Sequence, residues 1–282
     1  MTAGLLHAPA GSAGNEPRLG GTVRPVPVAG GTLIVETVGA GPPLILLHGW
    51  TLDRRMWAPQ VAALAGRYRL IAYDRRGFGQ SGAPPDLTRE PDDLHAVAAA
   101  CGVTRFALVG MSQGARIALG FAARWPAPVA ALVLQGSPFP AQQGETGDDE
   151  ALPIAEMRRL ARAGQFDALR ALWGAHPLMR LHRHAAAPLR AAMLADYTAR
   201  DLTGPQTRLT IAPDALRRMA IPALIVTGEA EPPTRQSAAA LLAQRLPAAT
   251  RRTIAGAGHL ANLDDPVAYN ATLLEFLDQI RA

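Results

Sequence analysis

Lysine is absent from the 282-residue sequence, and all 28 of its basic residues are arginine. Without lysine the chain cannot form a Schiff base, a Ser–Lys dyad or a phosphate-binding loop of the lysine type. The net charge is +5, but the arginines are scattered singly or in pairs rather than clustered among aromatic residues. This distribution is typical of solvated helix faces, so we expect no nucleic-acid partner.

Cysteine is nearly absent, because Cys101 is the only one in the chain. A single cysteine excludes an intrachain disulfide bond. Cys101 precedes Gly102 at the end of a predicted helix, with no activating group adjacent to it. We therefore interpret it as a small buried hydrophobe and not as a nucleophile.

Long apolar runs and targeting signals are also absent. No apolar run reaches the roughly 18 residues that a transmembrane helix needs, which predicts no membrane partner. The N-terminus has no basic segment before its short apolar pair, which argues against a secretory signal, and a cytoplasmic protein is expected. Residues 1–20 are rich in glycine, alanine and proline without periodicity, which predicts a flexible tail.

Short apolar runs are present instead, and helix-length segments separate most of them. The runs are LILL (44–47), LIA (70–72), FALV (106–109), AALVL (130–134) and ALIV (223–226). Strands that are apolar on both faces and alternate with helices predict a mostly parallel sheet covered on both sides, an α/β fold. Ahead of them, two extended runs around Gly30 and Gly31 predict a β-hairpin.

One interval, between Leu134 and Ala223, has helical periodicity and no strand-like run. A structureless loop of that length is implausible in a compact domain, so we predict a helical insertion over one end of the sheet. The predicted divisions are a tail (1–20), a first core part (21–138), the insertion (139–215) and a second core part (216–282). The final helix is predicted to start with Asp265 as its N-cap and Pro266 at its first position.

Three glycines in IAYDRRGFGQSGAPP (71–85) have the G-x-G-x-x-G spacing of a dinucleotide-binding loop. Such a loop must open a helix and be followed by an acidic residue about 20 positions later. The segment APP (83–85) opposes a helix start, and residues 97–101 offer no carboxylate. We therefore predict that these glycines bind no cofactor.

Ser112 is the centre of the G-x-S-x-G segment GMSQG (110–114), between the run FALV and a predicted helix. In this context the turn is so tight that the flanking positions must be glycine or nearly so, and the serine hydroxyl is lifted above the sheet. The helix N-terminus favours developing negative charge. A serine there can also be an ordinary N-cap, so the catalytic hypothesis depends on its partners.

A serine nucleophile needs a base and an acid, in the chain order Ser, acid, His. His259, in the glycine-rich segment AGAGHLANLDDP after the last predicted strand, is the candidate base, whereas His48 is expected to shape the backbone after the first strand. The other histidines lie in the tail, in a helix or in the insertion: His7, His95, His176, His182 and His184. The His182-x-His184 pair lacks a nearby cysteine and helical spacing, so no metal site is predicted.

Together, HGW (48–50), GMSQG (110–114) and GH (258–259) make the chain resemble an α/β-hydrolase with a helical cap, from about Thr22 to the C-terminus. Such proteins carry an Asp-x-x-Gly-x-Gly-x-Ser loop after the second parallel strand, and residues 74–81 reproduce it. The resemblance therefore implies that the glycines of this loop shape the sheet edge.

The resemblance places the acid in a Gly-x-x-Asp segment after the penultimate strand, where VTGEAEPP supplies Gly228 and then Glu231. A glutamate can orient a histidine as an aspartate does. Position favours Glu231, but Glu229 stays a rival, because side chains two residues apart on an extended segment point to the same side. The segment ALVLQGSP, the other possible place, contains no carboxylate.

The resemblance also implies an oxyanion hole formed by the backbone N–H groups of Trp50 and Gln113. Candidate pocket residues, each equally plausible as core, are Met111, Phe139, Trp173 and Leu260. The implied reaction is attack of Ser112 on the carbonyl of a small ester or lactone, followed by hydrolysis of the acyl-enzyme by water that His259 activates.

Serine at this position argues against haloalkane dehalogenases and epoxide hydrolases, whose nucleophile there is aspartate. A carbon–carbon bond hydrolase and a cofactor-free perhydrolase share the same residues and stay open. A non-catalytic small-molecule receptor on this fold is the alternative from another class, and the intact set of serine, histidine and acid counts against it. No pattern in the sequence indicates an oligomeric state.

Overall fold

The computed structural model describes residues 19–137 and 151–281. Nearly all of the predicted tail lies outside the described residues, as does the start of the predicted insertion, including Phe139. A single eight-stranded sheet forms the centre of the described structure. Its strands are β1 (Thr22–Val28), β2 (Gly31–Val38), β3 (Pro43–Leu47), β4 (Arg69–Asp74), β5 (Phe106–Met111), β6 (Val129–Gln135), β7 (Ala223–Gly228) and β8 (Ala249–Ile254).

The strands are ordered β1-β2-β4-β3-β5-β6-β7-β8. β1 pairs antiparallel with β2, and β2 with β4, whereas all other neighbours are parallel. The apolar runs at 44–47, 70–72, 106–109, 130–134 and 223–226 all lie in β3 to β7. The predicted hairpin and the mostly parallel sheet are thus confirmed.

Helices cover both faces of the sheet. On one face lie α1 (Ala58–Leu64) and α11 (Pro266–Arg281), and on the other α2 (Glu90–Ala100), α3 (Gln113–Arg124) and α9 (Pro233–Arg245). Successive strand residues enter different cores, because side chains alternate across a strand: in β3, Leu44 and Leu46 pack with α1, and Ile45 and Leu47 pack with α3. Each such buried side chain contributes roughly 1.5–3 kcal/mol to stability.

The last helix begins as the sequence predicts. The Oδ1 atom of Asp265 accepts a hydrogen bond from the backbone N–H of Ala268 at 3.0 Å, and Pro266 is the first helical residue. This contact satisfies one of the N–H groups that a helix start leaves without an internal partner. A one-turn helix, α10 (Ala261–Asp264), precedes it.

Between β6 and β7 the described chain is helical, with α4 (Ile154–Arg162), α5 (Phe166–Gly174), α6 (Ala187–Asp196), α7 (Arg200–Thr203) and α8 (Pro213–Arg217). We call residues 151–217 the inserted segment. Side chains of α4 to α7 extend the α1/α11 core, in which Met157 and Trp173 join Met56 and Met111. The predicted boundary at residue 215 falls inside α8, whose Leu216 packs in the opposite core with α9.

Cys101 caps the C-terminal end of α2 and is buried, the position predicted for it. No charged residue neighbours Cys101 in the sequence, but one contacts it in the fold. Arg24 of β1, remote in sequence, places its Nη2 atom 3.0 Å from the Cys101 sulfur. Within residues 19–137 and 151–281, no helix is both long enough and apolar enough to cross a membrane.

Candidate active site

Ser112 lies between β5 and α3 with φ +51° and ψ −116°, a backbone conformation that non-glycine residues rarely adopt. Such strain costs about 1–3 kcal/mol and is often found at functional sites. A Cβ atom at Gly110 would lie 2.6 Å from the carbonyl oxygen of Gly114, and one at Gly114 would lie 2.3 Å from that of Leu47. Both glycines are therefore needed for the tight turn that presents Ser112.

His259, in the loop between β8 and α10, is buried beside the buried Glu231. The Nδ1 atom of His259 and the Oε1 atom of Glu231 form a short hydrogen bond. Because the carboxylate accepts, Nδ1 carries the proton, and Nε2 is left to accept one. Gly136, with φ +54°, makes room for this pair, since a Cβ atom there would lie 2.7 Å from Cε1 of His259.

The sequence predicted that Glu229 and Glu231 lie on an extended segment, but in the structure they do not. The chain turns after β7, and the N–H of Glu231 donates to the carbonyl of Gly228 at 3.3 Å. Glu229 is exposed, and its Oε2 atom accepts from the N–H of Gly256 at 2.8 Å. The turn therefore separates the two carboxylates, and of the two it is Glu231 that contacts His259.

Buried polar groups that the sequence analysis did not single out hold the His259 loop. The side-chain amide of Gln135 donates to the carbonyl of His259 at 3.0 Å and to Asn262 at 3.1 Å. Asp264 accepts from the N–H of Gly258 at 2.7 Å. Nothing in the sequence around Gln135 indicates its contact with a residue 124 positions away.

The predicted oxyanion-hole residues, Trp50 and Gln113, follow β3 and Ser112 respectively. Among the described residues, neither backbone N–H has a hydrogen-bond partner. His48 accepts from the N–H of Arg75 at Nε2 (2.9 Å) and therefore donates from Nδ1 to the carbonyl of Gly49 (2.8 Å). Burial and the charge of Arg75 hold the pKa of His48 well below its ordinary value, so it is neutral. His48 thus shapes the backbone before Trp50.

Arg75 connects the two segments that carry these N–H groups. Its fully buried guanidinium donates to the side chain of Gln113 at 2.8 Å and to the carbonyl of Gly49 at 3.3 Å. Glu90 faces it at 3.0 Å as the counter-charge. Burial raises the pKa of Glu90 to about 7, against the opposing effect of Arg75.

Ser112 and His259 line one cavity of about 280 Å³. Five other residues named by the sequence analysis line it as well: Trp50, Met111, Gln113, Trp173 and Leu260. Phe139, also predicted for the pocket, lies outside the described residues. Ser112, His259 and the two predicted oxyanion-hole residues, Trp50 and Gln113, therefore face the same space.

The inserted segment closes one side of this cavity. The indole N–H of Trp50 donates to Asp201 at 2.5 Å, and the hydroxyl of Tyr197 donates to the same carboxylate at 2.8 Å. Trp173 stacks at a tilt on Trp50, with ring centroids 4.8 Å apart, and donates to Thr51 at 2.6 Å. Burial raises the pKa of Asp201. The hydrogen bonds from Trp50 and Tyr197 oppose this increase, because they favour the charged form of the carboxylate.

The glycines at 77 and 79 have structural roles in the loop after β4. A Cβ atom at Gly79 would lie 2.4 Å from the carboxyl carbon of Asp74, and one at Gly77 would lie 2.5 Å from the ring of Pro85. Both have positive φ angles. No helix begins between the end of β4 at Asp74 and Glu90, in agreement with the argument from the sequence APP.

His182 and His184 precede α6. The N–H of His182 donates to Asp264 at 2.6 Å, and its ring lies against Gly258, where a Cβ atom would be 2.7 Å from Cδ2. In the part of the chain that the structure describes, no group of three or more His, Cys, Asp or Glu side chains is placed to hold a metal ion.

Two curated relatives illustrate the range of similar sequences. The chain is 39% identical over 115 residues to the AB hydrolase superfamily protein YisY of Bacillus subtilis, a match that covers 39% of this chain and only 43% of that protein. It is 28% identical to a putative non-heme chloroperoxidase of Synechocystis over 258 residues, which covers 86% of this chain and 93% of the relative.

Solved structures extend the similarity to the whole fold. The esterase RhEst1 from Rhodococcus sp. ECU1013 is 25% identical with a TM-score of 0.74, over 92% of this chain and 99% of the esterase. Est816, described as an N-acyl homoserine lactone degrading enzyme, is 25% identical with a TM-score of 0.72, over 90% of this chain and 100% of Est816. The sequence model of the alpha/beta hydrolase fold matches residues 42–266. The chain therefore belongs to the α/β-hydrolase family.

Proposed function

We propose that the protein is a serine hydrolase that cleaves a carboxylic ester or a lactone through an acyl-enzyme on Ser112. The observation that carries this proposal is the buried His259–Glu231 pair, whose histidine lines the same cavity as a serine held in a strained turn. Similarity to RhEst1 and Est816, an esterase and a lactone-degrading enzyme by name, supports the substrate class.

In the proposed reaction, Ser112 Oγ attacks the carbonyl carbon while His259 Nε2 takes its proton. The imidazolium then protonates the leaving alcohol, and the acyl group stays on Ser112. Water then attacks the acyl-enzyme while it gives a proton to the same nitrogen. The imidazolium returns this proton to Ser112 Oγ as the acid leaves, which restores the serine. Glu231 keeps the ring in the required tautomer and stabilises its charged form.

Negative charge develops on the carbonyl oxygen in the tetrahedral intermediates. The N–H groups of Trp50 and Gln113 are the proposed donors, and preorganised donors of this kind are worth about 3–4 kcal/mol each. We assign Arg75 a positioning role, because it holds Gly49 and Gln113 together and keeps both donors in place. The inserted segment is the proposed cap, which completes the pocket with Trp173.

Rapid mixing with a p-nitrophenyl ester tests the proposal. We expect a burst of nitrophenolate equal to the enzyme concentration, followed by slower turnover, where deacylation limits the rate. Ser112→Ala should abolish the burst and lower kcat by roughly 10⁴- to 10⁶-fold, and adding His259→Ala should cost little more, because the residues act as a unit. Additive losses, or an unchanged burst in Ser112→Ala, contradict the mechanism.

Perhydrolysis is a second candidate, favoured by the similarity to the putative non-heme chloroperoxidase. Hydrogen peroxide then replaces water in the attack on the acyl-enzyme, and the product is a peracid. Halide oxidation that requires both peroxide and a carboxylic acid, and that disappears in Ser112→Ala, would establish this activity. Ester turnover unaffected by peroxide would exclude it.

A further inference from the structure

Arg116 is a cation in the cavity wall, one helical turn beyond the proposed nucleophile. The backbone N–H of Arg116 donates to the carbonyl of Ser112 at 3.2 Å, so both residues lie on the same side of α3. Side chains on a helix tilt toward its N-terminus, which directs the arginine back toward Ser112. Arg116 and Ser112 both line the cavity.

The charge of Arg116 is not compensated within the described structure. Its Nε atom donates to the carbonyl of Leu209 at 3.0 Å, and no carboxylate of residues 19–137 and 151–281 forms an ion pair with it. Burial, together with the like charge of Arg208, lowers the pKa of Arg116. A partly buried cation whose charged neighbour is another cation is stabilised when an anion binds beside it.

Other charged groups of the same wall have partners. Arg76 forms a two-pronged pair with Asp93, with N–O distances of 2.5 and 2.7 Å. Glu90 faces Arg75, and Asp201 accepts from Trp50 and Tyr197 as described above. The wall therefore presents Arg116 as a cation that a ligand can neutralise. Arg235 is another residue that lines this cavity.

We infer that Arg116 binds a carboxylate of the substrate, so that the preferred esters or lactones carry a negative charge in addition to the scissile bond. This inference rests on the proposed hydrolase function and narrows its substrate class. Arginine suits the role, because its planar guanidinium binds carboxylates with two parallel hydrogen bonds. The inference assigns substrate specificity to a helix of the core.

Two pairs of isosteric substrates test the inference. For a carboxylate on the acyl side, the p-nitrophenyl hemiester of adipic acid is compared with the p-nitrophenyl ester of adipic acid monoamide. For a carboxylate on the alcohol side, 4-acetoxybenzoate is compared with 4-acetoxybenzamide. In each pair only the charge changes, so the ratio of the two kcat/KM values reports recognition of the carboxylate.

In at least one pair we expect Arg116→Gln to lower the anionic-to-neutral ratio by roughly 10- to 100-fold, the usual effect of losing a charged hydrogen bond. Arg116→Lys should restore part of the ratio, because it returns the charge without the planar fork. The matched control is Arg208→Gln, which removes an exposed neighbouring cation outside the cavity wall and should change the ratio by less than about 2-fold.

Two failures are distinguishable. If the wild-type protein cleaves these esters but Arg116→Gln changes both members of each pair by the same factor, the carboxylate site is wrong and the hydrolase proposal stands. If the wild-type protein releases no product from any of the four esters and Ser112 is not acylated, the proposed function itself is wrong, and the inference falls with it.

Discussion

The carboxylate beside His259 is the residue on which the proposed chemistry depends most closely. Glu231 is buried and contacts Nδ1, whereas Glu229 is exposed and binds the backbone of Gly256. We expect Glu231→Gln to lower kcat by up to about 10⁴-fold, because an amide favours the wrong tautomer of the histidine. Steady-state kinetics measures this loss, and circular dichroism verifies folding.

Glu229→Gln is the matched control, because it makes the same chemical change two residues away. It should alter kcat by less than about 2-fold, since its partner is a backbone N–H at the surface. If Glu229→Gln is the damaged variant, the assignment of the acid is wrong. If neither variant loses activity, His259 acts without Glu231.

At the residue scale, the sequence was sufficient to predict a site residue where a motif fixes the local backbone geometry. It was insufficient where the position of the side chain depends on a turn formed by the tertiary fold. Gly110 and Gly114 were predictable, because the tight strand-to-helix turn excludes a Cβ atom at both places. Position in the motif favoured Glu231, but the separation of Glu229 from Glu231 was not predictable, because it depends on a turn whose hydrogen bonds involve β8 and its following loop. Arg116 was also missed, since a lone helical arginine carries no motif.

Glu90 makes folding stability depend on pH. Burial raises its pKa from its ordinary 4.5 to about 7, so the folded protein holds a proton that the unfolded chain releases between these values. The stabilisation from Glu90 is therefore full below pH 4.5 and is lost as the pH rises through 7. The difference in unfolding free energy between the wild type and Glu90→Gln should fall by about 3 kcal/mol between pH 4.5 and pH 8.

Urea unfolding of both proteins at the two pH values measures this difference, and the subtraction removes contributions from other titrating groups. A difference that stays constant with pH means that Glu90 has the same pKa in the folded and the unfolded protein. A difference that grows with pH means that the ion pair with Arg75 lowers the pKa of Glu90 by more than burial raises it.

At the scale of secondary structure, the turn between β5 and α3 is the element under the tightest steric constraint. A Cβ atom at Gly114 would lie 2.3 Å from the carbonyl oxygen of Leu47 and 2.6 Å from that of His48. These are backbone atoms of the neighbouring β3 segment and cannot rotate away. Gly114→Ala should therefore lower the free energy of unfolding by about 2 kcal/mol or more, measured by denaturant titration.

Gly66→Ala is the control for the same chemical change. Gly66 lies in an exposed turn after α1, and no heavy atom lies within 4 Å of a Cβ atom built there. Its substitution should change stability by less than about 0.5 kcal/mol. Equal effects of the two substitutions would show that contact with β3 does not constrain the turn.

The elements that the sequence predicted best are those with a one-dimensional pattern. Apolar runs identified the parallel strands, and Asp265 with Pro266 identified the start of α11. The end of the inserted segment was harder to predict from the sequence. The reason is that α8 packs in the opposite core, although it is continuous with the insertion in sequence. Packing partners of a short helix depend on the tertiary fold and leave no periodic pattern.

At the scale of the whole molecule, the proposed site forms where three parts of the chain meet at one edge of the sheet. The segments after β3 and β5 carry the proposed donors and nucleophile, the segments after β7 and β8 carry the proposed acid and base, and the inserted segment supplies a wall. The Trp50–Asp201 hydrogen bond joins residues 151 positions apart. Such contacts determine the pocket, and no local pattern indicates them.

The most direct test of this account is the site of covalent modification by a fluorophosphonate, read by intact mass and by peptide mapping. We predict one adduct per chain, on Ser112, which is lost in Ser112→Ala and forms much more slowly in His259→Ala. Ser81 and Ser137 are internal controls, because both are buried serines near the same sheet edge. An adduct on either of them, or an unmodified Ser112 in a folded protein, would contradict the assignment of the nucleophile.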